Sequence, residues 1–355
     1  MWQYKDQLNF RKYNKLSHTR LENILDKFAE LSIAVIGDGC LDVYWEADMA
    51  LSELSRETPH FPLPVTKERL SLGAGGNVAS NLVSLGIKDV KLLTIIGDDW
   101  RGNEFLKLIH NEGISVDYII KSMDRITPAY CKPIRHGLSD VTYEDPRIDF
   151  ENRTQIKLDL EKKVIQYIQK VFMAVDIIAV VDQLKNGVIT DKIRSSINEM
   201  AVNREVVVDS RNNIDKYRNV ILKPNELEAI QAVYSDRNIT KVKQEERIEI
   251  IQRLIQKTKC PVLMTLGKEG SLWHNDYDLI EIPTKPVTGE LDIVGAGDAF
   301  MASFIASRNA GAEVEESAFI ANLAAGITIQ KIRTTGKVTR EEIIKRYEMI
   351  SGVRK

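Results

Sequence analysis

Residues 292–300 read Asp-Ile-Val-Gly-Ala-Gly-Asp-Ala-Phe and lead into an apolar helical stretch that runs to about Arg308. Gly295 and Gly297 let the backbone turn tightly, and a helix opening there aims unsatisfied N–H groups and its positive end at an anion. With Ala296 between them, these residues form a candidate cradle for the oxygens of a transferring phosphoryl group. Asp298 stands at its mouth, where a carboxylate can accept the proton of an attacking hydroxyl. Taken alone, the same stretch also reads as a glycine-rich helix start with an ordinary aspartate cap.

A second glycine cluster, residues 73–79 (Gly-Ala-Gly-Gly-Asn-Val-Ala), opens another helix. It fits either ligand approach by Gly75, Gly76 and Asn77 or close packing of a helix start on a strand. Asp38 and Asp42 follow the first strand, at the end where an open α/β sheet binds its ligand. A turn role is the alternative for Asp38.

The two glycine motifs, in this order and far apart in the chain, resemble the paired signatures of the ribokinase-like (PfkB) carbohydrate kinases. The resemblance extends over most of residues 32–340, and the roles that follow are those it implies. Asp298 is the base, and the amides of Gly295, Ala296 and Gly297 form the anion hole. Gly75, Gly76, Asn77, Asp38 and Asp42 meet the sugar hydroxyls, with Asp42 the stronger candidate of the two aspartates. Residues 224–228 (Pro-Asn-Glu-Leu-Glu) resemble the family's N-x-x-E motif, so that Asn225 and Glu228 organise water around a nucleotide-bound Mg2+, preceded by Lys223. Thr265, Gly267 and Gly270 resemble the nucleotide loop, with Asn322 and Ala325 near the adenine. Asp292 and carbonyls around residues 328–336 would hold a monovalent cation such as K+. The implied cofactors are ATP and Mg2+.

Within the family the likeness is greatest to kinases of the anomeric hydroxyl of heptose 7-phosphate. Residues 37–45 (Gly-Asp-Gly-Cys-Leu-Asp-Val-Tyr-Trp) and 147–151 (Arg-Ile-Asp-Phe-Glu) carry it, the latter adding Asp149 to the substrate residues. Asp182 and Lys185 match a D-x-x-KG stretch, with Asn186 inserted before Gly187. Two departures are visible: Asp209-Ser210-Arg211 replaces DPK, and residues 52–60 are more polar than in that subgroup. Lys185, Arg211 and Lys223 are candidates for a substrate phosphate, each with the alternative of a solvated surface charge. No H-x-G-H motif accompanies the five histidines, so a second, nucleotide-adding activity is not expected. A kinase for ribose, fructose or a hexose phosphate, or a noncatalytic sugar or nucleotide sensor, remains open. A dinucleotide-binding dehydrogenase fits poorly, because no G-x-G-x-x-G follows the first strand.

The elements that must position these residues alternate along the chain. Strands are expected at 33–37, 90–96, 176–181, 205–209, 219–222 and 261–266, with helical sequence between them, including 77–86 and 103–112. This predicts an α/β fold: a doubly wound, mainly parallel sheet flanked by helices, in a single domain over residues 1–355. Residues 43–70 and 125–150 break the rhythm with short alternating runs and are expected to form a small β lid over the carboxyl ends of the strands. In the family such flaps commonly pair two subunits, so a homodimer through the lid is implied. Leu21, Ile24, Leu25, Phe28 and Leu31 recur at helical spacing, making residues 1–31 a helical extension.

Composition excludes other classes. The 355 residues are 43% hydrophobic, enough for a large core. The 49 basic against 51 acidic residues give a net charge of −2 and no field for nucleic acid or a membrane surface. No stretch of about 18 apolar residues occurs. Cys40, Cys131 and Cys260 lack paired or zinc-type spacing, which fits a reducing cytoplasm.

Overall fold

The computed structural model describes residues 9–137, 141–234 and 242–352. With strands and helices numbered along the chain, the large sheet contains β1 (Asn9–Lys12), β2 (Ser32–Gly37), β5 (Asp89–Gly97), β6 (Ile119–Ser122), β10 (Ile177–Asp182), β11 (Glu205–Ser210), β12 (Ile221–Leu222), β13 (Val262–Thr265), β14 (Ser271–His274) and β15 (Asp278–Ile282). Its order is β1-β15-β14-β13-β12-β11-β10-β2-β5-β6. All neighbours are parallel except around β14, which is antiparallel to both β13 and β15.

The apolar strand sequences follow from burial on both faces. In β2, Ile33 and Val35 face one core and Ala34 and Ile36 the other, as the two-residue period of a strand requires. The first core is closed by α2 (Gly75–Ser84), α3 (Trp100–Asn111), α8 (Ala296–Asn309) and α9 (Val314–Thr328). The second is closed by α4 (Leu158–Ala174), α5 (Asp191–Met200) and α7 (Gln244–Thr258). Each fully buried Ile or Val contributes about 1.5–3 kcal/mol relative to exposure, so this double layer fixes the strand ends on which the site is built.

A second sheet is formed by β3 (Gly39–Asp48), β4 (Val65–Ala74), β7 (Ala129–His136), β8 (Thr142–Glu144) and β9 (Ile148–Phe150). Its order is β4-β3-β7-β8, with β9 also pairing β7. Both segments that interrupt the sequence rhythm contribute to this sheet, which begins earlier, at Gly39, and ends its second strand later, at Ala74. Residues 138–140 of the second segment lie outside the described residues.

The N-terminal extension differs from the helix expected there. Residues 1–8 lie outside the described residues, and Asn9–Lys12 form an edge strand parallel to β15, whereas α1 spans only His18–Asp26, followed by a 3-10 turn at Lys27–Glu30. Asn9, Phe10, Arg11 and Lys12 are all exposed, so no alternation marks the strand. It is held by ladder pairing and by Lys12–Glu281 and Asn9–Asp278 contacts, partners far away in sequence.

Candidate active site

Gly295 has φ 79° and is the residue before α8. A Cβ there would lie 3.1 Å from Asn77 Nδ2, so both conformation and space favour glycine. The turn leaves the first N–H groups of α8 without intrahelical acceptors, although the Ala296 N–H makes a long 3.3 Å bond to the Ile293 carbonyl. Gly297 is exposed.

Asp298 lies in the first turn of α8, and its Oδ2 accepts a 2.7 Å hydrogen bond from Asn77 Nδ2. Asn77 is itself oriented: its Oδ1 and backbone carbonyl both accept from Asn81 Nδ2, and Asn81 Oδ1 accepts from the Val338 N–H. With Oδ1 occupied, the Asn77 amide must present its donor to Asp298. Burial pushes the Asp298 pKa up to about 7; the Asn77 bond and Lys223 pull it down, and Asp209 and Asp42 push it further up. A carboxylate poised near neutrality suits proton abstraction.

In front of Asp298 opens a cavity of about 670 Å³ between the two sheets. Asp42, Glu144, Asp149 and Asp298 line it with carboxylates, and Lys132, Arg147 and Arg211 contribute positive charge; Gln183 and Leu184 are also part of the wall. Asp42 accepts from Thr335 Oγ1 at 3.3 Å and pairs with Lys132 Nζ at 3.4 Å. Lys132 donates to the Tyr44 hydroxyl at 3.0 Å and sits 4.6 Å from that ring's centre. Burial lowers the Lys132 pKa, but Asp42 and Tyr44 outweigh it and the net shift is upward. Arg147 makes a bidentate pair with Asp149, at 2.6 and 2.7 Å, and lies over the Tyr130 ring. Lys132 and Asn81 were not singled out in the sequence, because no motif includes them, and the roles of Tyr44 and Thr335, although both lie in segments that were, depend on distant partners: pairing of β3 with β7 sets Tyr44 against Lys132.

Several of the expected site residues have partners within the protein, and Asp38 is a correction. Asp38 is 1% exposed and does not line the cavity. Its carboxylate accepts from the amides of Gln183, Leu184 and Val188 at 2.7–2.8 Å, so it pins the loop that supplies the cavity wall instead of presenting oxygen to a ligand. Burial, reinforced by Asp182, pushes its pKa up to about 7 against those three donors. Gly75 and Gly76 are packed against protein atoms. A Cβ on Gly75 would come within 2.7 Å of the Asp38 carbonyl, and one on Gly76 within 3.2 Å of Leu72 and Phe105, so both permit close helix packing. Ala74, with φ 50°, lines the cavity.

Lys185 faces a neighbouring cavity of about 320 Å³ that shares Asp149 with the first. Lys223 is buried and paired with Asp209 at 3.0 Å, which removes it from the free cations. Asn225 and Glu228 form a reciprocal capping box at the start of α6 (Glu226–Val233), using Asn225 Oδ1 and Glu228 Oε2. Asn225 and Thr265 are bridged through their backbones, which sets the N-x-x-E motif beside the loop of Gly267 (φ 54°) and Gly270 (φ 99°). Asn322 spends its amide donors on the Ile282 carbonyl and Ser271 Oγ, tying α9 to the sheet; Ala325 is half-buried on the same helix. Asp292 accepts from the Val294 and Arg333 amides. Among the described residues, no three His, Cys, Asp or Glu side chains converge on a common metal position, and no helix is long and apolar enough to cross a membrane.

Known proteins resemble the chain in sequence and fold. The chain is 32% identical over 340 residues to the bifunctional protein HldE of Geotalea uraniireducens, covering 93% of this chain and 65% of that protein. It is 32% identical over 305 residues to the protein of the same name in Sulfurimonas denitrificans, covering 84% and 61%. The chain thus spans somewhat less than two thirds of these relatives. Among solved structures, phosphofructokinase-2 from Escherichia coli in complex with potassium superimposes with a TM-score of 0.70 at 17% identity, covering 90% of this chain and 99% of the other. Arabidopsis thaliana ribokinase complexed with ribose and ATP gives 0.64 at 18%, covering 89% and 98%. These likenesses establish the ribokinase-like fold. The pfkB carbohydrate kinase family matches residues 41–340, including both glycine motifs and every residue lining the cavity except Cys40, and the chain belongs to that family of phosphotransferases acting on sugar hydroxyls.

Proposed function

We propose that this chain transfers the γ-phosphate of ATP to a hydroxyl of a phosphorylated sugar, with the anomeric hydroxyl of heptose 7-phosphate as the preferred acceptor. The observation that carries this reading is the cavity's polarity: an acceptor for a hydroxyl proton, Asp298, and guanidinium groups, Arg147 and Arg211, border the same space. Arginine suits the planar, multidentate recognition of a phosphate ester.

Asp298, held by Asn77 through Oδ2, offers its other oxygen to the substrate hydroxyl and takes its proton as the new P–O bond forms. Asp42, held by Lys132 at Oδ1 and Thr335 at Oδ2, keeps further lone pairs with which to accept from a second hydroxyl. Amides at the start of α8 stabilise charge on the transferring phosphoryl. The residues present fit a nucleotide-bound Mg2+: the capping box leaves Glu228 Oε1 and Asn225 Nδ2 for ordered water, and Mg2+ takes few protein ligands. When bound, the ion would neutralise the phosphate oxygens. The small sheet acts as the lid that excludes water, and its exposed Val65, Tyr143 and Ile148 suit pairing with a second copy.

ADP release from ATP and Mg2+ should be measured against heptose 7-phosphate, hexose phosphates, ribose, fructose and free heptose. Turnover on a free sugar alone would replace the phosphorylated acceptor by another sugar. Nucleotide binding without turnover on any of them would favour a sensor.

A further inference from the structure

Arg333 holds φ 56°, a left-handed backbone that costs a non-glycine residue about 1–2 kcal/mol. Both of its backbone polar groups are clamped. Its N–H donates to Asp292 Oδ2 at 2.9 Å, and its carbonyl accepts from Arg69 Nη1 at 2.7 Å. Asp292 Oδ1 in turn accepts from the Val294 N–H, one residue before Gly295. A continuous path of hydrogen bonds therefore runs from Arg69, on β4 of the small sheet, through Arg333 and Asp292 to the turn that opens α8.

The monovalent cation implied by resemblance would need these same oxygens. In this segment the carbonyls of Thr328 and Ile329 already accept from the Lys331 and Asp292 amides, and that of Lys331 from Thr334 Oγ1. The Arg333 carbonyl is taken by a guanidinium, while the Lys331 ammonium reaches the Lys337 carbonyl and Glu342. A further unit charge about 4 Å from a fixed one costs about 1 kcal/mol in water and about 4 kcal/mol near a protein surface. The residues present do not fit a bound K+. Arg69 is itself oriented, by Glu46 at 3.0 Å from Nη2 and by the Tyr44 ring beneath its guanidinium.

We propose that the Arg69 guanidinium stands in for the monovalent cation, ordering the Asp292–Arg333 contact behind the anion cradle, so that neither this segment nor phosphoryl transfer depends on K+. Only the statement about transfer rests on the kinase reading.

The test compares thermal unfolding of the full chain in KCl, NaCl and tetramethylammonium chloride at equal ionic strength, together with the Kd for Mg-ATP. The wild type is expected to give the same Tm and Kd in all three. Arg69→Gln is expected to lower Tm by about 2 °C, to weaken Mg-ATP several-fold, and to recover selectively in K+. A K+-selective rise in the wild-type Tm overturns the proposal, as does an Arg69→Gln protein identical to wild type in both measurements. Should Arg69→Gln fail to fold, Arg69→Lys, which keeps the charge, must remain indifferent to K+; K+-selective stabilisation of it is equally fatal. The Tm comparison needs no nucleotide, so failure to bind ATP would refute the kinase reading while leaving this test decisive.

Discussion

Asn77 Nδ2 and Asp298 Oδ2 lie 2.7 Å apart across 221 positions of sequence, and this one bond joins the starts of the two glycine-opened helices, α2 and α8. It occupies one oxygen of the carboxylate and directs the other at the cavity.

Replacing Asp298 with Asn keeps the shape and removes the proton acceptor. We expect kcat to fall by about 10²–10⁴-fold, with the Kd for Mg-ATP little changed; steady-state kinetics and calorimetry check the two halves.

The Asn77 bond favours the ionised carboxylate, so its loss raises the pKa of Asp298 above about 7. The base works ionised, and kcat/KM should therefore rise with pH through about 7 in the wild type. In Asn77→Ala that limb should move to higher pH, which a pH–rate profile reads directly.

Asp298 also has a sign for stability. Its folded pKa, about 7, exceeds its ordinary value of 3.8, so between those values the folded state binds more protons than the unfolded one and stability falls as pH rises. Asp298→Asn should raise Tm, and by more at pH 8 than at pH 5. Thermal unfolding at both pH values gives the comparison.

Arg147→Gln and Arg211→Gln each remove a charge-assisted contact to the substrate phosphate, worth about 1.5–3 kcal/mol. KM for the phosphorylated sugar should rise about 10–100-fold with kcat largely kept, and turnover of the unphosphorylated sugar should be unaffected. An equal loss on both sugars would remove these arginines from phosphate recognition.

Asp38→Asn tests a structural role. Turning one carboxylate oxygen into a donor sets it against an amide N–H of the 183–188 loop, an unmade buried bond costing about 1–3 kcal/mol. Tm should drop at pH 8, and KM should worsen through the displaced Gln183–Leu184 wall.

Those contrasts between aspartates separate what local sequence carries from what it does not. Six parallel strands of the large sheet, β2, β5, β10, β11, β12 and β13, were legible because burial on both faces imposes apolar, β-branched runs on a few residues at a time, whereas β6, β14 and β15 were not expected. The turn at Gly295 was legible for a related reason: it is closed by residues within three or four positions. The edge strand Asn9–Lys12 was not, since its four exposed side chains record nothing of the β15 backbone that pairs with them.

The sequence by itself thus determined the α/β architecture and the family, and marked the glycine-opened helix start that carries the candidate base. Tertiary structure alone decided which polar atoms are already engaged within the protein: Asp38 by three amides, Lys223 by Asp209, and the Arg333 carbonyl by Arg69. Hydrogen-bond capacity is finite, and partners brought together by folding, whose sequence positions give no warning of contact, determine how much of it is already spent.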